Sequence, residues 1–480
     1  MLIAALIASL LPAGAVYARE PMTAVGDTLL FDLGASAEPG WIGVPSDTKY
    51  TRDTGYGFRM VSFVDDIPAD GGGALSDAVM VRYYDRADTG FMVDLPEGMY
   101  EISLYSGPIG YMNINMEGYP VIFNMQYHAN EARIELPVTD GTLDIDLDRG
   151  SSGTELSLSA ITVRRTGDIS SRRRRVFTLG DSTAATMYPL FLSPPLDEGY
   201  QGGWGQMLGN FLGDEVYVHN ISSSGTGTAS YTDEELKRRL HFAEPDDVVV
   251  IALGINDYNS ISAEEYKNNL RRITETVRGM GCVPVIASDS AQLKEYKDGK
   301  YTDMCYAREA GEVAEELDVD FIDLHAAHAE YLLALSSGAE ELFWRQWNGS
   351  RDMTHPNRSG AGHIARLLAE RLGGIIGASA VEGYGISESP LIKCRLGKNT
   401  LTLINTAPHE ESIALISPEY VSKKLERVRT KTVTLPPYDV TAPERGTELD
   451  LSGFNPGADI RLTGAGQAVR ITYVERIGKR

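Results

Sequence analysis

The chain changes texture three times when its apolar and polar positions are read in order. From about residue 28 to about residue 165, short runs alternate apolar and polar residues and are broken by Gly, Pro, Asp and Asn. Examples are 90–95 (GFMVDL), 99–105 (MYEISLY), 132–136 (ARIEL) and 156–163 (LSLSAITV). Alternation at every second position puts one face of a strand on a core and leaves the other wet. Many such strands at short spacing predict a β-sandwich or jelly roll over 25–166.

From Val176 the runs become continuously apolar: 176–179 (VFTL), 215–219 (EVYVH), 247–253 (DVVVIAL), 283–287 (VPVIA) and 321–324 (FIDL). Strands of that kind are buried on both faces. Helical spacing lies between them at 262–278, 302–317 and 359–372. The first helix opens on Ser262 with Glu265 three residues on, the capping-box spacing, and stops at Gly279 and Gly281. Strands alternating with helices predict a three-layer α/β/α unit around a parallel sheet over 176–380. Such sheets hold ligands at the carboxyl ends of their strands. Alternation returns after Ser387, for instance at 400–404 (TLTLI), 412–416 (SIALI) and 469–474 (VRITYV). It predicts a second, smaller β domain over 387–480, with no cluster of reactive side chains.

Composition narrows the partners. A chain of 480 residues is too long for one ordinary domain, and 42% apolar with 23% charged residues suits a soluble globular protein. Asp and Glu number 67 against 44 Lys and Arg, a net charge of −23. That balance argues against nucleic acid and against attraction to anionic membranes. Cys282, Cys305 and Cys394 are odd in number and far apart, so neither a disulfide framework nor a C-x-x-C zinc site is expected. Four successive arginines, Arg172 to Arg175, read as the end of a solvated linker over 167–175. The apolar run 2–16, followed by Val16-Tyr17-Ala18, is too short for a membrane span and reads as an export signal over 1–18, although it carries no Lys or Arg at its start. A secreted chain with no membrane insertion after cleavage is the expectation.

Four elements at strand ends carry the candidate chemistry. Gly180-Asp181-Ser182-Thr183 follows the first middle strand. A Ser at a strand-to-helix turn lies near free backbone N–H groups and suits a nucleophile, but it equally suits a helix N-cap. The loop from Asn220 to Gly227 follows the second strand, and Gly225 there can bring a backbone N–H close to a ligand or simply serve a turn. Gly254-Ile255-Asn256-Asp257 follows the third strand. The Asn256 amide is a donor suited to a developing oxyanion, with an Asx turn as the plainer reading. Asp352-Met353-Thr354-His355 precedes the last helix. An acid on one ring nitrogen lets a histidine act as base through the other; a metal pair or a surface turn are the alternatives. His325 and His328 read as structural residues on a helix face.

Taken together and in this order, the motifs G-D-S, loop Gly, G-x-N-D and D-x-x-H resemble the SGNH (GDSL-type) hydrolases. With Gly203-Trp204-Gly205, and Asn220 five residues before Gly225, they are similar to the rhamnogalacturonan acetylesterases, carbohydrate esterase family twelve. The resemblance implies a flavodoxin-like hydrolase over about 176–372. Ser182 would attack an acetyl carbonyl, His355 would move the proton, and Asp352 would orient the imidazole. The Ser182 and Gly225 N–H groups and the Asn256 amide would form the oxyanion hole. It implies an acetylated plant polysaccharide as partner, most simply rhamnogalacturonan, with no cofactor and no metal. Xylan or another glycan is the alternative substrate, and a non-catalytic glycan-binding surface protein the alternative of another class. Two departures stand out: Ile255 occupies a position where this subfamily more often has His, and the Asn220–Gly227 loop is Ser-rich rather than basic.

Further upstream, Phe31-Asp32-Leu33-Gly34, Pro39-Gly40-Trp41 and Gly55-Tyr56-Gly57-Phe58 resemble a galactose-binding-like β-sandwich. Trp41, Tyr56 and Phe58 are expected in its core rather than as sugar platforms.

Overall fold

The structure is a computed structural model. It describes residues 22–378 except 39, 69–76, 83–88, 110, 127–130, 150–154, 188–200, 214, 336–338, 341 and 346–349. Beyond 378 it describes 383–384, 392–396, 400–405, 411–421, 424–436, 446–450, 460–464 and 467–471. The export segment expected over 1–18 lies outside the described residues, as does Pro39. Among the described residues, no helix is long and apolar enough to cross a membrane.

The alternating N-terminal runs form a β-sandwich. One sheet runs, in spatial order, Glu131–Val138, Gly98–Ser106, Glu155–Gly167, Thr28–Leu33 and Ile42–Val44, with Ala78–Arg82 and Val64–Ile67 attached. The other runs Tyr56–Phe58, Phe91–Asp94, Thr142–Arg149, Tyr111–Met116 and Tyr119–Gln126. The inward side chains of both sheets share one core. Phe91 meets Phe31 and Phe58 there edge-on, at centroid distances of 5.4 and 5.3 Å. Phe58 is thus a core residue. Tyr56 packs partly buried against the same core, and Trp41 partly covers Leu30.

The continuously apolar runs form a parallel sheet: β1 (Arg174–Gly180), β2 (Val216–Asn220), β3 (Val248–Ala252), β4 (Val283–Ala287) and β5 (Asp320–Ile322), in the order β2-β1-β3-β4-β5. Successive side chains of β1 and β3 enter opposite clusters. Val176, Val248 and Val250 pack with α4 (Arg358–Ile376). Phe177, Leu179, Val249 and Ile251 pack with α1 (Asp233–Arg239), α2 (Ala263–Gly279) and α3 (Ala307–Leu317). Two covered faces are why these strands are apolar throughout. The strand order reverses between β1 and β3, and the crevice outside their carboxyl ends is where such sheets bind ligands.

Two expectations are corrected. The helix read from 302 begins at Ala307. Asp303 accepts the backbone N–H groups of Cys305, Ala307 and Arg308, and Tyr306 takes a left-handed conformation at φ 58°, so the preceding residues are a turn. The helix read from 262 starts as expected, with the Ser262 hydroxyl accepting the Glu265 N–H at 3.2 Å. The arginine run, read as solvated, is built into the structure instead. Arg172 pairs with Asp247 and Glu244, and Arg173 with Glu135 of the sandwich. Arg174 donates to the Asp246 and Ile376 carbonyls. Arg175 is buried and donates to the Phe242 carbonyl. Each guanidinium has its own acceptors, which is what makes the partial burial of the run tolerable.

The described C-terminal strands form two four-stranded antiparallel sheets. One comprises Gly383–Tyr384, Ile392–Leu396, Thr400–Asn405 and Thr447–Asp450. The other comprises Lys424–Leu435, Glu411–Val421, Ile460–Gly464 and Gln467–Ile471.

Candidate active site

The chain leaves β1 at Gly180 and turns through Asp181 and Ser182. The buried Asp181 shapes the turn: its carboxylate accepts the Thr183 N–H at 2.8 Å and the Thr183 hydroxyl at 2.9 Å. Behind it, the Asn220 side chain donates to the Ala184 carbonyl and accepts from the Thr178 hydroxyl, tying the turn to the end of β2. The Gln201 amide donates to the Ser182 carbonyl at 2.8 Å. The Gly203-Trp204-Gly205 motif is explained by packing: a Cβ on Gly203 would stand 1.8 Å from the Ala185 carbonyl oxygen.

His355 arrives on a short strand, β6 (Arg351–Pro356), paired with Phe343–Arg345, rather than in a loose turn. Its Nε2 lies 2.9 Å from the Ser182 hydroxyl, and its Nδ1 lies 3.1 Å from Asp352 Oδ1. The same carboxylate oxygen accepts the backbone N–H groups of Thr354 and His355, each at 2.7 Å. Burial works against the charge on Asp352, but the His355 ring and these backbone donors outweigh it and hold the carboxyl well below the usual carboxylate range. A charged Asp352 fixes the proton on Nδ1 and leaves Nε2 as an acceptor facing the Ser182 O–H. The expected serine, histidine and aspartate are therefore brought together in one line. Among the described residues, no group of three or more His, Cys, Asp or Glu side chains is placed to hold a metal ion. Cys282 and Cys305 are buried free thiols.

The remaining expected donors differ in how free they are. Gly225 has φ +75°, and a Cβ there would meet nothing within 4 Å, so the glycine serves conformation and not space. The Ser182 and Gly225 N–H groups have no acceptor among the described residues. The Asn256 amide differs from the expected free donor: it donates to the Thr226 carbonyl at 2.9 Å and to Asp181 at 3.2 Å. Of the two, the Asp181 contact is the longer and the easier to exchange for a ligand oxygen.

Several residues near the site have supporting roles that were not read from the sequence. Asp257 accepts the Thr228 N–H and hydroxyl, anchoring the loop after Gly225 to the end of β3. A Cβ on Gly254 would stand 1.9 Å from the Cys305 carbonyl oxygen. Buried Tyr231 donates its phenol to the Gly180 carbonyl at 2.9 Å and lies 3.1 Å from the Thr226 hydroxyl. His325 bonds Glu295 at 2.8 Å in the interior, and His328 is buried with its ring pushed down to about 3 by desolvation; neither touches Ser182.

Comparison with known proteins agrees with this division of the chain. Residues 29–164 match the β-agarase/YXIM esterase-like, galactose-binding domain-like family, and residues 178–363 match the GDSL-like lipase/acylhydrolase family. The uncharacterized esterase YxiM of Bacillus subtilis is 32% identical over 352 residues, covering 71% of this chain and 90% of that protein. Its crystal structure superposes with a TM-score of 0.62 at 30% identity, covering 73% of this chain and 99% of that one. The rhamnogalacturonan acetylesterase RhgT of the same organism is 31% identical over 219 residues, covering 41% of this chain and 88% of that protein. The chain is a galactose-binding-like sandwich followed by a hydrolase domain, and it belongs to the esterases of the GDSL-like lipase/acylhydrolase family.

Proposed function

We propose that the protein is an exported carbohydrate esterase that removes O-acetyl groups from a plant cell-wall polysaccharide, with rhamnogalacturonan as the first choice. The observation that carries the reading is the continuous line from Ser182 Oγ through His355 to Asp352 at the β1/β3 crevice. In the first half-reaction, Ser182 Oγ attacks the acetyl carbonyl while Nε2 of His355 takes its proton. The charged Asp352 stabilises the imidazolium. The carbonyl oxygen, now negative, is met by the Ser182 and Gly225 N–H groups and by Asn256 in exchange for its Asp181 contact. Collapse breaks the ester bond, and the sugar oxygen leaves with the proton from His355. Water repeats the sequence on the acetyl-serine, releasing acetate. None of these steps calls for a cofactor.

The polysaccharide class rests on similarity to RhgT and on the motif wording around Ser182 and Asn220. The two C-terminal sheets are read as one small β domain outside this chemistry. The net charge of −23 would repel a uronate polymer at long range. Arg351 beside the site is tied to the Phe343 carbonyl at 3.0 Å, and the Arg358 side chain lies outside the described residues.

Acetate release across acetylated rhamnogalacturonan, xylan and mannan tests the reading. Fastest release from rhamnogalacturonan, abolished by Ser182→Ala in a folded protein, is expected. Preference for xylan or mannan would move the substrate while keeping the esterase. Unchanged release by Ser182→Ala would remove the nucleophile assignment altogether.

A further inference from the structure

The sandwich and the hydrolase meet through buried contacts. The edge strands of the two sandwich sheets, Glu131–Val138 and Tyr119–Gln126, both face the hydrolase. Glu135 on the first pairs with Arg173 at 2.8 Å. On the second, the Val121 carbonyl accepts from His219 Nε2 at 2.9 Å, and Tyr119 stacks on His241. Burial pushes the His219 ring down to about 3, so it stays neutral and donates.

Phe123 goes further. It sits on a sandwich strand, yet it packs in the hydrolase core with Phe177, Ile221, Tyr231, Leu236 and Leu240 rather than in the sandwich core. The Arg239 guanidinium lies over its ring at 3.6 Å and over the Tyr231 ring at 5.1 Å. Arg239 is placed by its helix: α1 is capped by the Thr232 hydroxyl at the Glu235 N–H and ends in Lys237, Arg238 and Arg239, which suit the negative end of the dipole. Its guanidinium also donates to Glu235 and to the Ile221 carbonyl, so it is held from several sides.

Tyr231, the next residue in line, touches both halves of the site. Its phenol bonds the Gly180 carbonyl, two residues before the nucleophile, and lies against the Thr226 hydroxyl, one residue after Gly225. Thr226 in turn bonds the Gly180 and Ser223 carbonyls, and its own carbonyl accepts from Asn256. Tyr231 therefore bonds both the serine turn and the Gly225 loop.

We propose that the sandwich is a positioning part of the catalytic site: Phe123 holds Arg239 over Tyr231, and Tyr231 sets the distance between Ser182 and the Gly225 loop. This rests on the reading that those groups perform acyl transfer. A face of an aromatic ring toward a cation is directional, and small misplacements of oxyanion donors are costly in rate. The sandwich thereby contributes to turnover of any acetyl ester, including one too small to touch a sugar-binding surface.

The test is kcat and KM of the full chain on an aryl acetate and on acetylated polysaccharide, well below the melting temperature. Three variants are compared: Phe123→Leu, Tyr231→Phe and the two combined. Phe123→Leu stays apolar, gives up some volume and removes the ring. It should lower kcat about ten-fold on both substrates with KM within about two-fold. The double variant should be no slower than Tyr231→Phe alone, since both changes act through one contact. Wild-type kcat in Phe123→Leu, a loss confined to the polymer, or losses that multiply in the double variant would each overturn the proposal. Failure of the esterase reading is seen separately, as retained activity in Ser182→Ala with Phe123 untouched.

Discussion

Two aspartates, one buried in the sandwich and one partly buried in the hydrolase, show what the surroundings of a carboxylate decide. Asp32 of the sandwich is 1% exposed. One of its oxygens accepts the Glu38 N–H, and the other has no hydrogen-bond donor among the described residues. Burial dominates, and nearby Asp77 and Glu38 add to it, so the carboxyl is pushed up to about 7. Asp352 of the hydrolase is also substantially buried, but it meets an imidazole and two backbone donors, and its carboxyl is held well below the ordinary range. Desolvation acts on both. The donors present decide which becomes a folding cost and which a permanent negative charge. Burial alone does not mark the active site; what sets Asp352 apart is the imidazole within hydrogen-bond distance.

The largest test of that contrast is Asp352→Asn. The amide keeps the shape but loses the charge, and it favours the wrong imidazole tautomer. Turnover on an aryl acetate should fall by about 10³–10⁴-fold with little change in KM. A loss smaller than about ten-fold would mean that the carboxylate does not control His355. Asn256→Ala comes next: removal of one oxyanion donor should lower kcat by about 10²–10³-fold. An unchanged kcat would indicate that Asn256 keeps its bonds to Thr226 and Asp181 throughout the reaction.

The smallest effect lies in the sandwich. Because the folded pKa of Asp32 is raised, the folded state holds the proton between about 4 and 7 while the unfolded chain releases it. Stability is therefore fully present at low pH and is lost as pH rises through about 7. Asp32→Asn should raise the melting temperature at pH 8 by a few degrees and leave it near wild type at pH 4. A uniform change at both pH values would assign the effect to lost shape rather than to charge.

How much of this could be read from the sequence follows from how local each signal is. The five sheet strands and the motifs at Ser182, Asn256 and His355 were legible because a buried parallel strand and a strand-end turn are written in a few consecutive residues. Asp303 was not, since its carboxylate caps a turn that helical spacing conceals. The run from Arg172 to Arg175 was misread because its acceptors lie on other elements, among them Glu135 and Asp247. Phe123 was invisible for the same reason, since Arg239 over its ring is distant in the chain; Tyr231 and Arg239 form no motif, although they lie only eight residues apart. The two β-rich ends were legible as strands, whereas the sheet partners of those strands were not.

The most direct measurement is the site of acetylation during turnover. The protein is mixed with an aryl acetate, quenched in acid within one turnover and digested, and the peptides are weighed. One acetyl group on Ser182, absent from Ser182→Ala and accumulating in step with release of the phenol, is the predicted result. Phenol release without acetyl on Ser182, or acetyl on another side chain with the same kinetics, would contradict the account.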